Sequence, residues 1–297
     1  MTILLSILAQ LLHMAAVLIA APLLTGLVGR LSHRRAAPDM LLPWNSVLRL
    51  LRKQPIRAIG TSVVARRAPL MAMILAVLTV SLVPSFCVGM ASAPLTDLLT
   101  IAGLLILGRV VVVLAAMDAG TGGGAVAATE IARLGLAAEP VLLLAVLAIG
   151  LAAGAGNLDA ILAMRAEGLV PGTPAVMLAM AALALLGWSD GQSPKIDAFF
   201  SGPHLALLRV SEQIRLLTWC DLVGGLALPY GMATVTGGFS AWVIGVLAWI
   251  GRTLLAAALL ALVRNIATTA RVRTVLALAA ALCGIAAVLA FGGGDPT

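Results

Sequence analysis

Asp118-Ala-Gly-Thr-Gly-Gly-Gly-Ala-Val-Ala-Ala-Thr-Glu130-Ile-Ala-Arg133-Leu-Gly-Leu-Ala-Ala-Glu139-Pro140-Val-Leu-Leu-Leu-Ala145 is the stretch whose reading decides the fold. A glycine-rich connection enters a helix carrying Glu130, Arg133 and Glu139, and that helix runs unbroken into an apolar segment. A charged side chain at the centre of a membrane helix costs about 2.5–3.5 kcal/mol on insertion scales, so acids here need a reason. Glu130 and Arg133 are three residues apart and can pair on one helical face. Glu139 lies about 180° around the helix from Glu130 and roughly 13 Å further along, so it addresses a different neighbour. Pro140 removes the backbone hydrogen bond to the Leu136 carbonyl and is expected to kink the helix beside Glu139. A carboxylate beside a kink suits a proton relay; an interhelical ion pair or a permanently protonated acid is the structural alternative.

The glycines invite a nucleotide reading, because Gly120-Thr121-Gly122-Gly123-Gly124-Ala125 fits G-x-G-x-x-A. The pattern follows an apolar helix rather than a strand, and the P-loop lysine is missing, so it reads as an inter-helix connection.

Composition sets the class. The 297 residues are 62% hydrophobic and 10% charged, with mean hydropathy +1.12. Soluble domains are about a quarter charged, so the chain is an integral membrane protein. Without period-two alternation, the expected architecture is an all-α polytopic bundle. At about 20 apolar residues per crossing, eight spans are read at about 3–29, 70–90, 97–117, 126–154, 174–188, 215–235, 241–263 and 274–291. The first is too long for a signal peptide and is expected to remain as a span. Cys87, Cys220 and Cys283 stand singly, and His13, His33 and His204 are far apart, so no metal site is expected.

The formal charge of +7 is unevenly distributed. Arg30, Arg34, Arg35, Arg49, Arg52, Lys53, Arg57, Arg66 and Arg67 fall between spans one and two; Lys195, Arg209 and Arg215 between five and six; Arg264, Arg271 and Arg273 between seven and eight. The alternate connections and both ends hold only Arg165. By the positive-inside rule these three loops (the larger two at 30–69 and 189–214) are cytoplasmic, with both termini outside, in a bacterial inner membrane. The asymmetry accounts for the basic charge without nucleic acid.

Within the first loop, Pro43–Lys53 reads as an amphipathic helix ended by Pro55. Trp44, Val47, Leu48 and Leu51 lie on one side, and Arg49, Arg52 and Lys53 on the wetter one. It either rests on anionic lipid or offers a platform to a peripheral partner. Arg109, in span three between Asp97 and Asp118, is expected to face the bundle interior, for function or for structural charge neutralisation. In the second basic loop, Asp197 precedes Phe199 and Phe200, and Glu212 is spaced to pair with Arg215, with Asp221 beyond.

The residues Leu50-Leu51-Arg52-Lys53-Gln54, Arg67-Ala68-Pro69, Asp118 with its glycine loop, Thr129-Glu130 and Ala138-Glu139-Pro140-Val141-Leu142-Leu143-Leu144 resemble the membrane subunit of energy-converting hydrogenases and formate hydrogenlyase, homologous to subunit 1 of respiratory complex I. The resemblance implies a subunit that anchors a peripheral [NiFe]-hydrogenase-like and iron–sulfur module and helps couple electron transfer to proton or sodium movement. It also implies other membrane subunits as partners and no redox centre on this chain. It makes Asp118, Glu130 and Glu139 candidates for proton transfer or for holding the subunit interface. Arg133, Arg109, Glu212 and Asp221 join them as coupling candidates, and Arg49, Arg52, Lys53 and Asp197 as candidates for the partner interface.

The chain departs from that pattern at Trp44-Asn45-Ser46, Pro203-His204-Leu205-Ala206 and Leu208-Arg209-Val210-Ser211-Glu212, where the family carries acids or a Leu-Glu-Tyr-Ser-Gly start. These are positions that shape the quinone chamber in complex I, so the departures count against a quinone. Two other readings stand beside the coupling subunit: a membrane anchor without transport, and a stand-alone secondary transporter. An internal repeat of the kind such transporters show is not evident.

Overall fold

The computed structural model describes residues 2–32, 39–55, 62–168, 173–266 and 272–292. Arg34, Arg35, Arg57, Arg271, His33 and the tail 293–297 lie outside the described residues, as does the side chain of Arg264.

Among the described residues ten α-helices follow in order: α1 Thr2–Ser32, α2 Leu42–Leu51, α3 Val63–Leu82, α4 Leu98–Met117, α5 Gly122–Ala153, α6 Leu158–Ala166, α7 Thr173–Asp190, α8 Gly202–Ala227, α9 Gly238–Ile266 and α10 Val272–Gly292. Six of them (α1, α3, α4, α5, α9 and α10) are long and apolar enough to cross a membrane, and α7 is a shorter apolar helix. At 1.5 Å per residue the 26 residues of α8 reach about 39 Å, again a membrane's width, but they carry Arg209, Glu212, Arg215 and Asp221. The eight expected spans correspond in order to α1, α3, α4, α5, α7, α8, α9 and α10.

Local chemistry places the boundaries. Asp97 and Thr121 cap α4 and α5 by accepting from the backbone of Thr100 (3.0 Å) and Gly124 (3.1 Å). Gly154, with φ +67°, closes α5 in the left-handed conformation that a Cβ disfavours. Prolines stop α3 and α8: Val83 precedes Pro84 and Leu228 precedes Pro229, and both preceding residues are pushed out of helical geometry.

Those stops correct the expected boundaries. Span two, read as 70–90, is the helix 63–82, and the residues after it form a two-residue strand β1, Cys87–Val88, and a 3₁₀ turn at Ala93–Leu95. Span six, read as 215–235, is the helix 202–227, whose first turn holds Pro203. The basic loop read as 189–214 is therefore much shorter, with a single 3₁₀ turn at Asp197–Phe199. Strands were not anticipated, yet β1 pairs in parallel with β2, Ala233–Thr234. Helix α6 was also not anticipated. Gly122, Gly123 and Gly124 form the first turn of α5 rather than the connection, where Gly120 alone takes a positive φ, +64°.

Two large cores share α8 between them. One joins α4, α5, α6, α7 and α10 and takes Trp219, Leu222 and Leu226 from α8. The other joins α1, α9 and the end of α3 and takes Ile214, Leu217 and Cys220. A third, smaller cluster of Ala68, Ala72, Ala115, Ala116, Ala127 and Ala128 lets α3, α4 and α5 approach closely. Lipid is as apolar as these side chains, so close packing and polar contacts hold the helices together rather than the hydrophobic effect. The polar side chains of α8 therefore have a clear task.

Candidate functional site

Four helices deliver charge to one buried point. Asp190, the last residue of α7, accepts from Arg109 of α4 (Nη2 to Oδ1, 2.8 Å) and from Arg215 of α8 (Nε to Oδ2, 2.6 Å; Nη2 to Oδ1, 2.9 Å). One turn further along α8, the Trp219 indole N–H donates to the same carboxylate at 3.1 Å. Glu139 of α5 approaches Arg109 from the other side, Oε1 to Nη1 at 3.5 Å. Arg109 is only 8% exposed. Such a cation needs partners, and it has two acids.

Glycines make room for both guanidiniums. A Cβ on Gly108 would lie 3.1 Å from Arg215 Nη1, and one on Gly135 would lie 2.8 Å from Glu139 Oε1 and 3.0 Å from Arg109 Cδ. Gly135 is four residues before Glu139, so the helix that carries the acid also carries the notch into which its partner fits.

The cluster lies beside a cavity of about 570 Å³ whose walls include Arg109, Asp190 and Arg215 below and Arg49 of α2 and Lys195 above. Two ion pairs stand at its rim: Lys195 with Glu212, and Arg209 with Asp197 at 3.0 Å. Its lining takes in α2 and the α7–α8 loop, which belong to the basic face of the sequence.

The sequence candidates are distributed unevenly around this centre. Glu139 and Arg109 meet in it. Glu212 does not pair with Arg215, as their spacing had indicated; it meets Lys195, while Arg215 turns inward to Asp190. Arg49 and Asp197 line the cavity, whereas Arg52 and Lys53 are exposed just past the end of α2. Glu130 and Arg133 pair with each other on an exposed part of α5, through Arg133 Nε at 2.9 Å and Nη2. Asp118 ties the end of α4 to the start of α3 by accepting from the Ser62 hydroxyl (2.6 Å) and the Ala65 N–H (2.9 Å). The Ser62 bond, followed by the Ala65 bond, holds its carboxyl below the ordinary aspartate value.

Asp221 belongs to a separate buried cluster, in which its Oδ1 accepts from the Trp249 indole (2.9 Å) and the Thr253 hydroxyl (3.3 Å). Beside it, Arg252 donates to the carbonyls of Ser85 (2.7 Å) and Leu228 (3.0 Å), joining the segments that follow α3 and α8. His13 completes this side, with Nδ1 2.7 Å from the Ser85 hydroxyl and Nε2 3.0 Å from the Val80 carbonyl.

The hub of the inner cluster, Asp190, was missed in the sequence. Its signal was an acid placed at the very end of an otherwise apolar helix. A second signal was Arg215 and Trp219 spaced four apart, and so on one face of the next helix. Among the described residues no group of three or more His, Cys, Asp or Glu side chains is placed to hold a metal.

The sequence model of the NADH dehydrogenase family matches residues 2–189. The chain belongs to that family. It is a complex I subunit 1-like membrane protein, and residues 2–189 take in Arg109, Glu130 and Glu139. Among curated proteins the family member is 24% identical over 251 residues to formate hydrogenlyase subunit 4 of Escherichia coli (strain K12), covering 78% of this chain and 81% of that one. Its fold is shared with a chain of the membrane-bound sulfane sulfur reductase, an archaeal respiratory membrane complex. The TM-score is 0.74 at 16% identity, over 95% of this chain and 98% of that one. At that identity the likeness speaks for the fold, which is the all-α polytopic bundle expected.

Proposed function

We propose that this family member is the membrane subunit of a hydrogenase- or complex I-like oxidoreductase. It anchors a peripheral redox module on its basic face and helps couple electron transfer to proton or sodium translocation. The observation that carries the reading is the largely buried Glu139–Arg109–Asp190–Arg215 chain, which joins four helices and borders a cavity lined by residues of that face. A charge change at either end of such a chain is felt at the other, because buried pairs are weakly screened. The partners on this reading are other membrane subunits and a [NiFe]-hydrogenase-like module with its iron–sulfur subunits. They dock over Arg49, Asp197 and the α7–α8 loop, with the basic loops in the cytoplasm of a bacterium and both termini outside.

The chain holds no redox group of its own on this reading. A quinone is not assigned to the cavity, whose rim is occupied by the two ion pairs of Lys195 and Arg209.

Replacement Glu139→Gln tests the reading in the assembled complex. It is expected to leave assembly and electron transfer in place while ion translocation per electron falls. Translocation at the original ratio would remove Glu139 from the mechanism. One observation favours the second reading, an anchor without transport: Asp190 is saturated by four hydrogen bonds from three side chains, as a purely structural hub would be. On that reading neither Glu139→Gln nor Arg109→Gln alters translocation, and both affect stability alone.

A further inference from the structure

Glu130 and Arg133 stand apart from the buried chain, and the coupling path makes no use of them. They form one wall of a second cleft, of about 400 Å³, between α5, the loop after α7 and the start of α10. Gln192, Pro194 and Arg273 complete its walls, and the buried side chains of Leu134 and Val272 supply an apolar floor. Arg133 spends Nε and Nη2 on Glu130, and among the described residues Nη1 makes no hydrogen bond. Arg273 is exposed and forms no ion pair among the described residues. The cleft thus carries two guanidiniums against one carboxylate.

The surface beside it is apolar. Val126, Arg133 and Leu136 are spaced seven and three residues apart and so share one face of α5. Val126 is 71% and Leu136 78% exposed, so the cation sits between two outward-facing hydrophobic side chains. Helix α5 starts at the basic face, where Asp118 meets Ser62 ahead of α3, and Leu136 is one turn deeper than Arg133. A ligand that fits has a negative head at the level of Arg133 and Arg273 and a hydrocarbon tail running down past Leu136.

We propose that this cleft is a binding site for an anionic phospholipid of the leaflet on the basic face, its phosphate held by Arg133 and Arg273 and an acyl chain lying along Leu136. Basic pockets between membrane helices at headgroup level recognise such lipids, each basic residue adding a several-fold preference. Glu130 competes with the phosphate for Arg133 and tunes the affinity downward.

The test is native mass spectrometry of the full detergent-solubilised chain with equal amounts of dioleoyl-phosphatidylglycerol and dioleoyl-phosphatidylcholine. One phosphatidylglycerol is expected to stay bound under activation that strips phosphatidylcholine. Arg273→Gln and Arg133→Gln are each expected to weaken that retention about fivefold. Glu130→Gln is expected to strengthen it, a sign that a merely structural pair would not give. Arg66→Gln, exposed in the first turn of α3, serves as the control for general attraction to the basic face and is expected to change nothing. Unaltered retention in Arg273→Gln, or a loss in Glu130→Gln matching that in Arg133→Gln, overturns the proposal. So does displacement by inorganic phosphate with no preference between the two lipids, which would mark a small-anion site.

Discussion

Replacing Asp190 by Asn should do more damage than any exposed charge change in the molecule. Asparagine keeps the shape and can still accept a hydrogen bond, but it leaves Arg109 and Arg215 facing a neutral group. The side chains of Asp190, Arg109 and Arg215 are only 11%, 10% and 18% exposed, so solvent does little to compensate. Removing one partner of a buried ion pair costs about 3–5 kcal/mol, mostly through the charge left behind. Arg109 retains Glu139 at 3.5 Å, so the orphaned cation is chiefly Arg215, and the loss belongs at the lower end, about 3 kcal/mol.

The assay is reversible unfolding of the full chain in mixed micelles, with Asp190→Asn, Arg215→Gln and the double variant compared. Deleting Arg215 from the Asp190→Asn background removes the unpaired cation, so the double variant should be no less stable than Asp190→Asn alone. The coupling energy should be about 1–2 kcal/mol. Glu130→Gln, which opens an ion pair about 40% exposed on both sides, should cost less than about 0.5 kcal/mol. An Asp190→Asn loss below about 1 kcal/mol, or strict additivity in the cycle, would refute the argument that this carboxylate joins α4, α7 and α8.

Two further predictions concern Gly135, inside the cluster, and Asp118, at the junction of α4 and α3. Gly135→Ala places a methyl group 2.8 Å from Glu139 Oε1 and 3.0 Å from Arg109 Cδ, both on flexible side chains, so the pair should move apart while the helix stays intact. Helix propensity favours alanine by about 1 kcal/mol, so melting should hardly change while translocation in the assembled complex drops toward the Glu139→Gln level; a normal ratio would show that the contact is dispensable. Asp118 titrates below its ordinary value in the folded state, so its contribution is complete above the unfolded aspartate value near pH 4 and is lost as pH falls through the lower folded one. The stability gap between the native chain and Asp118→Asn should therefore be constant at neutral pH and close below about pH 4, as melts across pH 3–7 would show.

Much of the fold was legible because the membrane restricts the choices. Long apolar runs with few strand signals leave helices as the available spanning structure, and each of the eight runs holds a helix over most of its length. The boundary errors share one cause. Val83-Pro84 and Leu228-Pro229 stand inside hydrophobic stretches, and hydropathy counts proline as a small interruption when its geometry ends the helix. The second basic loop was overextended for the opposite reason. Arg209, Glu212 and Arg215 look like solvent-facing residues in a list of charges, yet they belong to a helix whose partners come from α7 and the turn after it. Spacing found the local pair Glu130–Arg133, because three residues apart on a helix is a contact. It failed for Glu212 and Arg215, which have the same spacing, because the buried acid Asp190 offers Arg215 a stronger partner from another helix. Periodicity carries no information about such long-range competition.

The inner cluster is balanced in charge, Arg109 and Arg215 against Asp190 and Glu139, but its members are not held equally. Asp190 has its four short bonds, while Glu139 has one contact at 3.5 Å and a side chain 29% exposed, the most accessible of the set. At that distance and an effective dielectric near 20, the attraction between Glu139 and Arg109 is about 5 kcal/mol before solvent screening. Neutralising this position, as Glu139→Gln does, takes that attraction from Arg109, which then leans wholly on Asp190, and Asp190 must be shared more evenly with Arg215. Arg215 sits in the wall of the cavity whose rim carries Lys195, Glu212 and Arg49. Linkage makes the effect reciprocal. A docked partner that draws Arg215 away from Asp190 strengthens Asp190's hold on Arg109 and so shifts Arg109 away from Glu139. On the proposed function, the same free energy links docking at the basic face to the charge carried by α5, with no moving part larger than an arginine side chain.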